Sequence, residues 1–213
     1  GVSPCRGHNA NRSMTEARLE AFEATGDGKY LDRAGTLARR ICVDLPKRAQ
    51  GVVWEHYDET WSVDWEYNKD NPRHLFRPYG YQPGHMTEWA KLLMVLERHS
   101  PKDWMLPTAV HLYETALAKS TDIAYGGLHY SYGPDGRLYD LDKYHWVQCE
   151  TLAAAASLAA RTGKESPRRM VRARGRSRPP ESHCAPAATG FAVRRAGERW
   201  PPAIHYAHHA GRR

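Results

Sequence analysis

Residues 76–89 read Phe76-Arg77-Pro78-Tyr79-Gly80-Tyr81-Gln82-Pro83-Gly84-His85-Met86-Thr87-Glu88-Trp89. Two proline-containing turns interrupt any regular element here, and the period then changes. Trp89, Leu92, Leu93, Val95 and Leu96 recur at helical spacing, which predicts a helix from about Met86 to His99. The stretch is therefore a loop that delivers His85 onto a helix N-terminus. His85 and Glu88 stand three residues apart on one helical face, where a carboxylate can orient and polarise an imidazole. An imidazole tuned near neutrality suits proton transfer next to a carbonyl. Taken alone, His-x-x-Glu also fits an ordinary core or surface pair, and the His-Glu-x-x-His of zinc proteases is absent.

Outward from this stretch the chain is helical. Asn11 or Ser13 can cap a helix carrying Met14, Ala17, Leu19, Ala21 and Phe22, stopped by Thr25-Gly26-Asp27-Gly28. A second helix is predicted over Tyr30 to Cys42, another over Thr108 to Ser120, and a last one over Trp146 to Arg161. Gly126 to Tyr130 and Arg137 to Tyr139 flank the turn Gly133-Pro134-Asp135-Gly136, a hairpin signal. Residues 45–83 are long, aromatic and irregular, and a stretch of that length inside a domain is usually functional. The helix pairs share a plan: a helix opens near a cluster containing Glu16, Glu88 or Glu150, runs three or four turns and ends at a Gly or Ser-Pro stop. Repeated helix hairpins with long loops at one end suggest an all-α fold of the α/α barrel or solenoid kind, with a simple bundle as the alternative. Trp54, Trp65, Trp89 and Trp146 are candidate flat faces for a sugar, or core residues.

The string Phe76-Arg77-Pro78-Tyr79-Gly80-x-x-Pro83-Gly84-His85-x-x-Glu88-Trp89 resembles the signature of the N-acylglucosamine 2-epimerase superfamily. Asn9-Ala10-Asn11, Glu16-Ala17, Thr25-Gly26-Asp27, Gly126-Gly127-Leu128, Asp135-Gly136 and Trp146-x-x-x-Glu150 support it, in order, over about residues 6–165. The resemblance implies part of an (α/α)6 barrel and an aldose–ketose isomerase or 2-epimerase working through an enediolate. It is slightly nearer the mannose and sulfoquinovose isomerase branch. It also implies His85 as an acid/base residue, Glu88 as its orienter, and Asn9, Phe76 and Trp146 lining the sugar site. Arg77 is expected to bond loop carbonyls. A monosaccharide or disaccharide is the expected substrate, with no metal or nicotinamide required, and self-association into a homo-oligomer is a further expectation. The chain departs from the pattern at Arg12-Ser13, where the family has Met-His with the His in the sugar site. That departure makes a non-catalytic sugar-binding remnant the alternative function.

Composition divides the chain near Glu165. The net charge is +7, but Ser166 to Arg213 hold 11 Arg, no Lys and two acids, a net of +9. Residues 1–165 therefore carry 7 − 9 = −2. Nucleic-acid footprints usually mix Lys with Arg on a folded face, so no nucleic-acid partner is expected, although an Arg-tail contact would show steep salt dependence. Residues 1–165 are read as the partial barrel domain and 166–213 as a disordered Arg/Pro-rich tail. With suitable codons, a one-base shift turns Met170-Val171-Arg172 into Trp-Tyr-Glu and Ala207 to Gly211 into a His-containing segment. The tail is thus compatible with a frameshift. No apolar run long enough to span a membrane and no signal peptide are visible. The cysteines Cys5, Cys42, Cys149 and Cys184 lie far apart, which points to reduced thiols in a cytoplasmic protein.

Overall fold

The first helix opens earlier than its capping side chains suggest. The computed structural model describes residues 5–74, 76–164 and the backbone of 193–194. In it α1 runs His8–Thr25 with Gly7 as N-cap and no side-chain cap. Asn11 and Ser13 lie inside the helix, and the Asn11 amide donates back to the Gly7 carbonyl at 3.2 Å. The cause is tertiary. Strand β1 (Arg6–Gly7) pairs antiparallel with β2 (His56–Tyr57), and the His8 N–H donates to the Glu55 carbonyl at 3.2 Å. An orphan amide of the first turn thus finds backbone, not a side chain. At the other end Gly26 takes the left-handed conformation, φ 70°, and stops α1. The Asp27 carboxylate then accepts the Lys29 N–H at 3.0 Å and caps α2 (Gly28–Arg39). A π-helical turn (Arg40–Asp44) and a 3-10 turn (Leu45–Arg48) carry the chain onward.

The irregular segment that follows is packed around its own aromatics. Trp54 is fully buried; its ring centroid lies 4.7 Å from Trp65, 4.8 Å from Tyr81 and 5.9 Å from Tyr79. Its indole N–H donates to the Asp64 carbonyl at 3.1 Å, so the polar edge is satisfied. His56 donates through Nε2 to the Pro78 carbonyl at 2.8 Å and stacks on Tyr67, clipping both ends of the segment together. Gly80 has φ 95°, and a Cβ there would run into the Tyr132 carbonyl. That close approach lets Tyr81 and Tyr132 exchange backbone hydrogen bonds of 2.8 and 3.1 Å. Of the four tryptophans weighed as sugar faces, Trp54 and Trp89 are fully buried and Trp65 packs against the core. For these three, core packing is what the structure shows.

Helix α3 spans Pro83–His99, three residues longer at its start than the apolar period indicated. Pro83 fits there because the first turn needs no amide from it. Buried Met86, Trp89, Ala90, Leu92, Leu93, Met94 and Leu96 surround α3 with contacts. It packs between α4 (Met105–Ser120) and α5 (His145–Thr162), while α1 packs on α2. The hairpin forms as β3 (Ser131–Tyr132) with β4 (Leu138–Asp140), about the expected turn. Gln148 of α5 accepts the Leu128 N–H at 3.0 Å and donates to the Leu128 carbonyl at 2.9 Å, holding the incoming segment as a strand would. Strand β5 (Lys143–Tyr144) pairs with β6 (Val193–Arg194). Apart from that two-residue backbone, the Arg/Pro-rich tail and the reading that it is disordered lie outside the described residues. Among the described residues no helix is long and apolar enough to cross a membrane.

Candidate active site

Two helix starts converge on one loop carboxylate. Glu55 precedes β2, His8 opens α1 and His85 lies in the first turn of α3. His85 donates through Nδ1 to the Glu55 carboxylate at 3.0 and 3.1 Å. His8 brings its own Nδ1 to 3.0 Å from the same group. The two imidazoles meet edge to face, centroids 4.7 Å apart. All three side chains are buried. Burial works to raise the Glu55 carboxyl, but the two imidazoles outweigh it and hold the group well below the usual carboxylate range. Burial pushes His85 down to about 4 against the opposing pull of Glu55. His85 is therefore a neutral imidazole at pH 7, with Nδ1–H bound and Nε2 left as the basic nitrogen.

Trp146, at the start of α5, tilts over this group with its ring centroid 5.1 Å from His85. The neighbouring Gly84 makes that approach possible: a Cβ there would come within 2.7 Å of the Trp146 ring and of Val147. Tyr130 meets the other edge of Trp146 at 6.1 Å.

The expected orienter turns out otherwise placed. Glu88 is buried, but its carboxylate forms an ion pair with Arg12, while Glu55 holds the His85 ring. The i, i+3 spacing puts both side chains on one face, yet the buried carboxylate competes for the nearest cation, which is Arg12. Arg12 also donates to the Asn9 Oδ1 at 2.7 Å and to the Ser13 hydroxyl at 3.1 Å. Asn9 thus lies beside Glu88 through this guanidinium. Burial raises the Glu88 carboxyl, with Arg12 working against it. One turn on, Lys91 bridges Glu150 at 2.8 Å and Glu16 at 3.4 Å, so the acids that opened each helix do gather. Phe76 is 79% exposed and outside this cluster. Arg77 donates to the Tyr67 hydroxyl at 3.0 Å instead of loop carbonyls. His8 and Glu55 were not singled out from sequence. Their only signal was position, His8 beside Asn9 and Glu55 within the long aromatic loop. A separate cavity of about 260 Å³, lined by Gln50, His111, Lys119, Tyr132 and Asp135 among others, includes none of these site residues.

Residues 2–178 match the N-acylglucosamine 2-epimerase (GlcNAc 2-epimerase) family. The chain belongs to the N-acylglucosamine 2-epimerase family. Among curated relatives, the D-mannose isomerase of Marinomonas mediterranea is 53% identical over 166 residues, which are 78% of this chain and 42% of that protein. The D-mannose isomerase of Pseudomonas cannabina pv. alisalensis is 36% identical over 177 residues, 76% of this chain and 41% of that protein. A crystal structure of D-mannose isomerase superposes with a TM-score of 0.77 at 52% identity, over 79% of this chain and 44% of that one. The cellobiose 2-epimerase of Spirochaeta thermophila shares the fold, TM-score 0.62 at 14% identity, over 80% of this chain and 42% of that one. This member of the family therefore spans about two fifths of the length of its curated relatives. Its helix hairpins are an arc of the (α/α)6 barrel.

Proposed function

We propose that this epimerase-family chain carries out proton transfer at the carbon next to a sugar carbonyl, as an aldose–ketose isomerase or 2-epimerase. His85 Nε2 removes the C2 proton of an open-chain aldose; the C–H electron pair forms the C1=C2 double bond and the carbonyl π pair moves onto O1, giving the enediolate. Return of a proton to C1, with the O2 proton passing to O1, yields the ketose; return to C2 on the other face, with C1=O re-formed, yields the epimer. Glu55 positions the ring and stabilises the imidazolium that forms after proton pickup. Trp146 packs on the sugar's C–H face. In this reading Asn9 and Glu88 contact sugar hydroxyls once Arg12 shifts, and Phe76 lies at the rim of the cleft. The observation that carries the reading is the His85–Glu55 hydrogen bond at 3.0 Å beneath the Trp146 ring. The mannose isomerase relatives make mannose and fructose the substrates to try first. Cys5 and Cys42 are free thiols, which supports a cytoplasmic setting as part of the same proposal.

Deuterium incorporation at C2 of mannose in deuterated water tests it. Exchange should fall on the order of 10²–10⁴-fold in His85→Ala. Absence of exchange with mannose, fructose, N-acetylmannosamine and cellobiose would leave only the second reading, a sugar-binding remnant. The Arg12 contacts favour that second reading, because the guanidinium occupies both Asn9 and Glu88. Sugar binding in a calorimeter without exchange, lost in Trp146→Ala, would establish it.

A further inference from the structure

His8, Glu55 and His85 supply two imidazoles and one carboxylate, and one ligand atom from each lies within 4.8 Å of the other two. Two His and one Glu, with one position left for water, form a donor set that suits zinc. We propose that these three residues bind a zinc-like dication, and that metal at this site silences the imidazole base.

Three further features support this. The Nδ1 atoms of both imidazoles face the same carboxylate at 3.0 Å. Ligand atoms around a tetrahedral zinc stand roughly 3.3 Å apart, given bonds of about 2.0–2.1 Å, so expansion by a few tenths of an ångström on these edges admits the ion. The nitrogens of His8 are buried without a hydrogen bond, although Nδ1 touches the Glu55 carboxylate. A buried imidazole with unsatisfied nitrogens favours any ligand that uses its lone pair. Finally, the backbone holds the donors in place: the β1–β2 pairing and the His8 N–H to Glu55 carbonyl bond fix two of the three before any metal arrives. Preorganised ligands need little rearrangement on binding.

The consequence for chemistry follows from the tautomer. With metal on Nδ1, the proton of neutral His85 resides on Nε2, the nitrogen that would otherwise take the substrate proton. Metal and proton transfer are then mutually exclusive, without any redox change or bond to sugar.

Titration of the chelator-stripped full chain with zinc in a calorimeter, without sugar, should give about one tight site per chain. Glu55→Gln and His8→Ala should each abolish it, with circular dichroism of the metal-free variants reporting that they fold. The Arg/Pro-rich tail holds three closely spaced histidines, His205, His208 and His209, that could compete for zinc; replacing them together by Ala should leave the site intact. X-ray absorption of the zinc-loaded unaltered chain, which needs no variant, should show two imidazoles and oxygen. Sulfur ligands, no tight site, or a site lost with the tail histidines yet kept in Glu55→Gln would overturn the proposal. Because binding is read without substrate, failure of C2 exchange leaves this result standing, and the reverse also holds.

Discussion

At the residue scale, the decisive arrangement is Glu55 held between His8 and His85. His85 is kept neutral by burial, with a folded value of about 4 against an ordinary 6.5. Above pH 6.5 both folded and unfolded chains carry neutral His85, so its contribution to stability is complete. As pH falls from 6.5 toward 4 the unfolded chain takes up a proton that the folded chain refuses, and stability drops. The Glu55 carboxylate, lowered in the fold, loses its contribution below the ordinary carboxylate value, in the same direction. Urea midpoints should therefore decline between pH 6.5 and 4, and His85→Gln should flatten the slope. Exchange activity should likewise persist below the usual His value before its acid limb begins. Gly84→Ala should press on Trp146 and raise KM for sugar with a smaller effect on kcat, a split that steady-state kinetics can read. Arg12→Leu should release Asn9 and Glu88 and lower KM, whereas an unchanged KM would mean that the guanidinium does not obstruct sugar. His85 was legible in the sequence because a loop-to-helix junction and a helical period mark it. Glu55 was not: its partner is 30 residues away, and no local spacing encodes a contact made by folding.

At the scale of elements, α3 is the axis. Its apolar residues repeat every three to four positions, so its existence could be read; its start could not, because Pro83 and Gly84 look like a turn until Trp146 and Val147 pack on them. The aromatic segment shows the opposite failure. Clustered tryptophans suggest a ligand surface, yet Trp54 is buried in a self-contained knot with Trp65, Tyr79 and Tyr81. Trp54→Ala should cost about 3–5 kcal/mol in urea unfolding. Between the hairpin and α4, fully buried Lys143 pairs with Asp122 at 2.5 Å. Asp122→Asn should destabilise by about 3 kcal/mol or more, since it leaves a buried ammonium uncompensated. Replacing both residues by apolar ones should recover much of that loss.

At the scale of the whole molecule, the described helices make an arc, and relatives of more than twice the matched length carry the remainder of the barrel. The hairpin plan was visible in repeated stops and acids. The closure of the ring was not, because it depends on segments beyond the match. The Gln148 amide adds a practical consequence. It binds the N–H and the carbonyl of Leu128, so both groups are satisfied by a side chain projecting from another element. The solvent-exchange rate of that N–H therefore reports on docking between loop and helix, not on any sheet. In hydrogen–deuterium mass spectrometry the Leu128 amide should be a slow site in the native chain and become a fast one in Gln148→Ala. That single probe would follow assembly of the arc while the helices themselves stay intact.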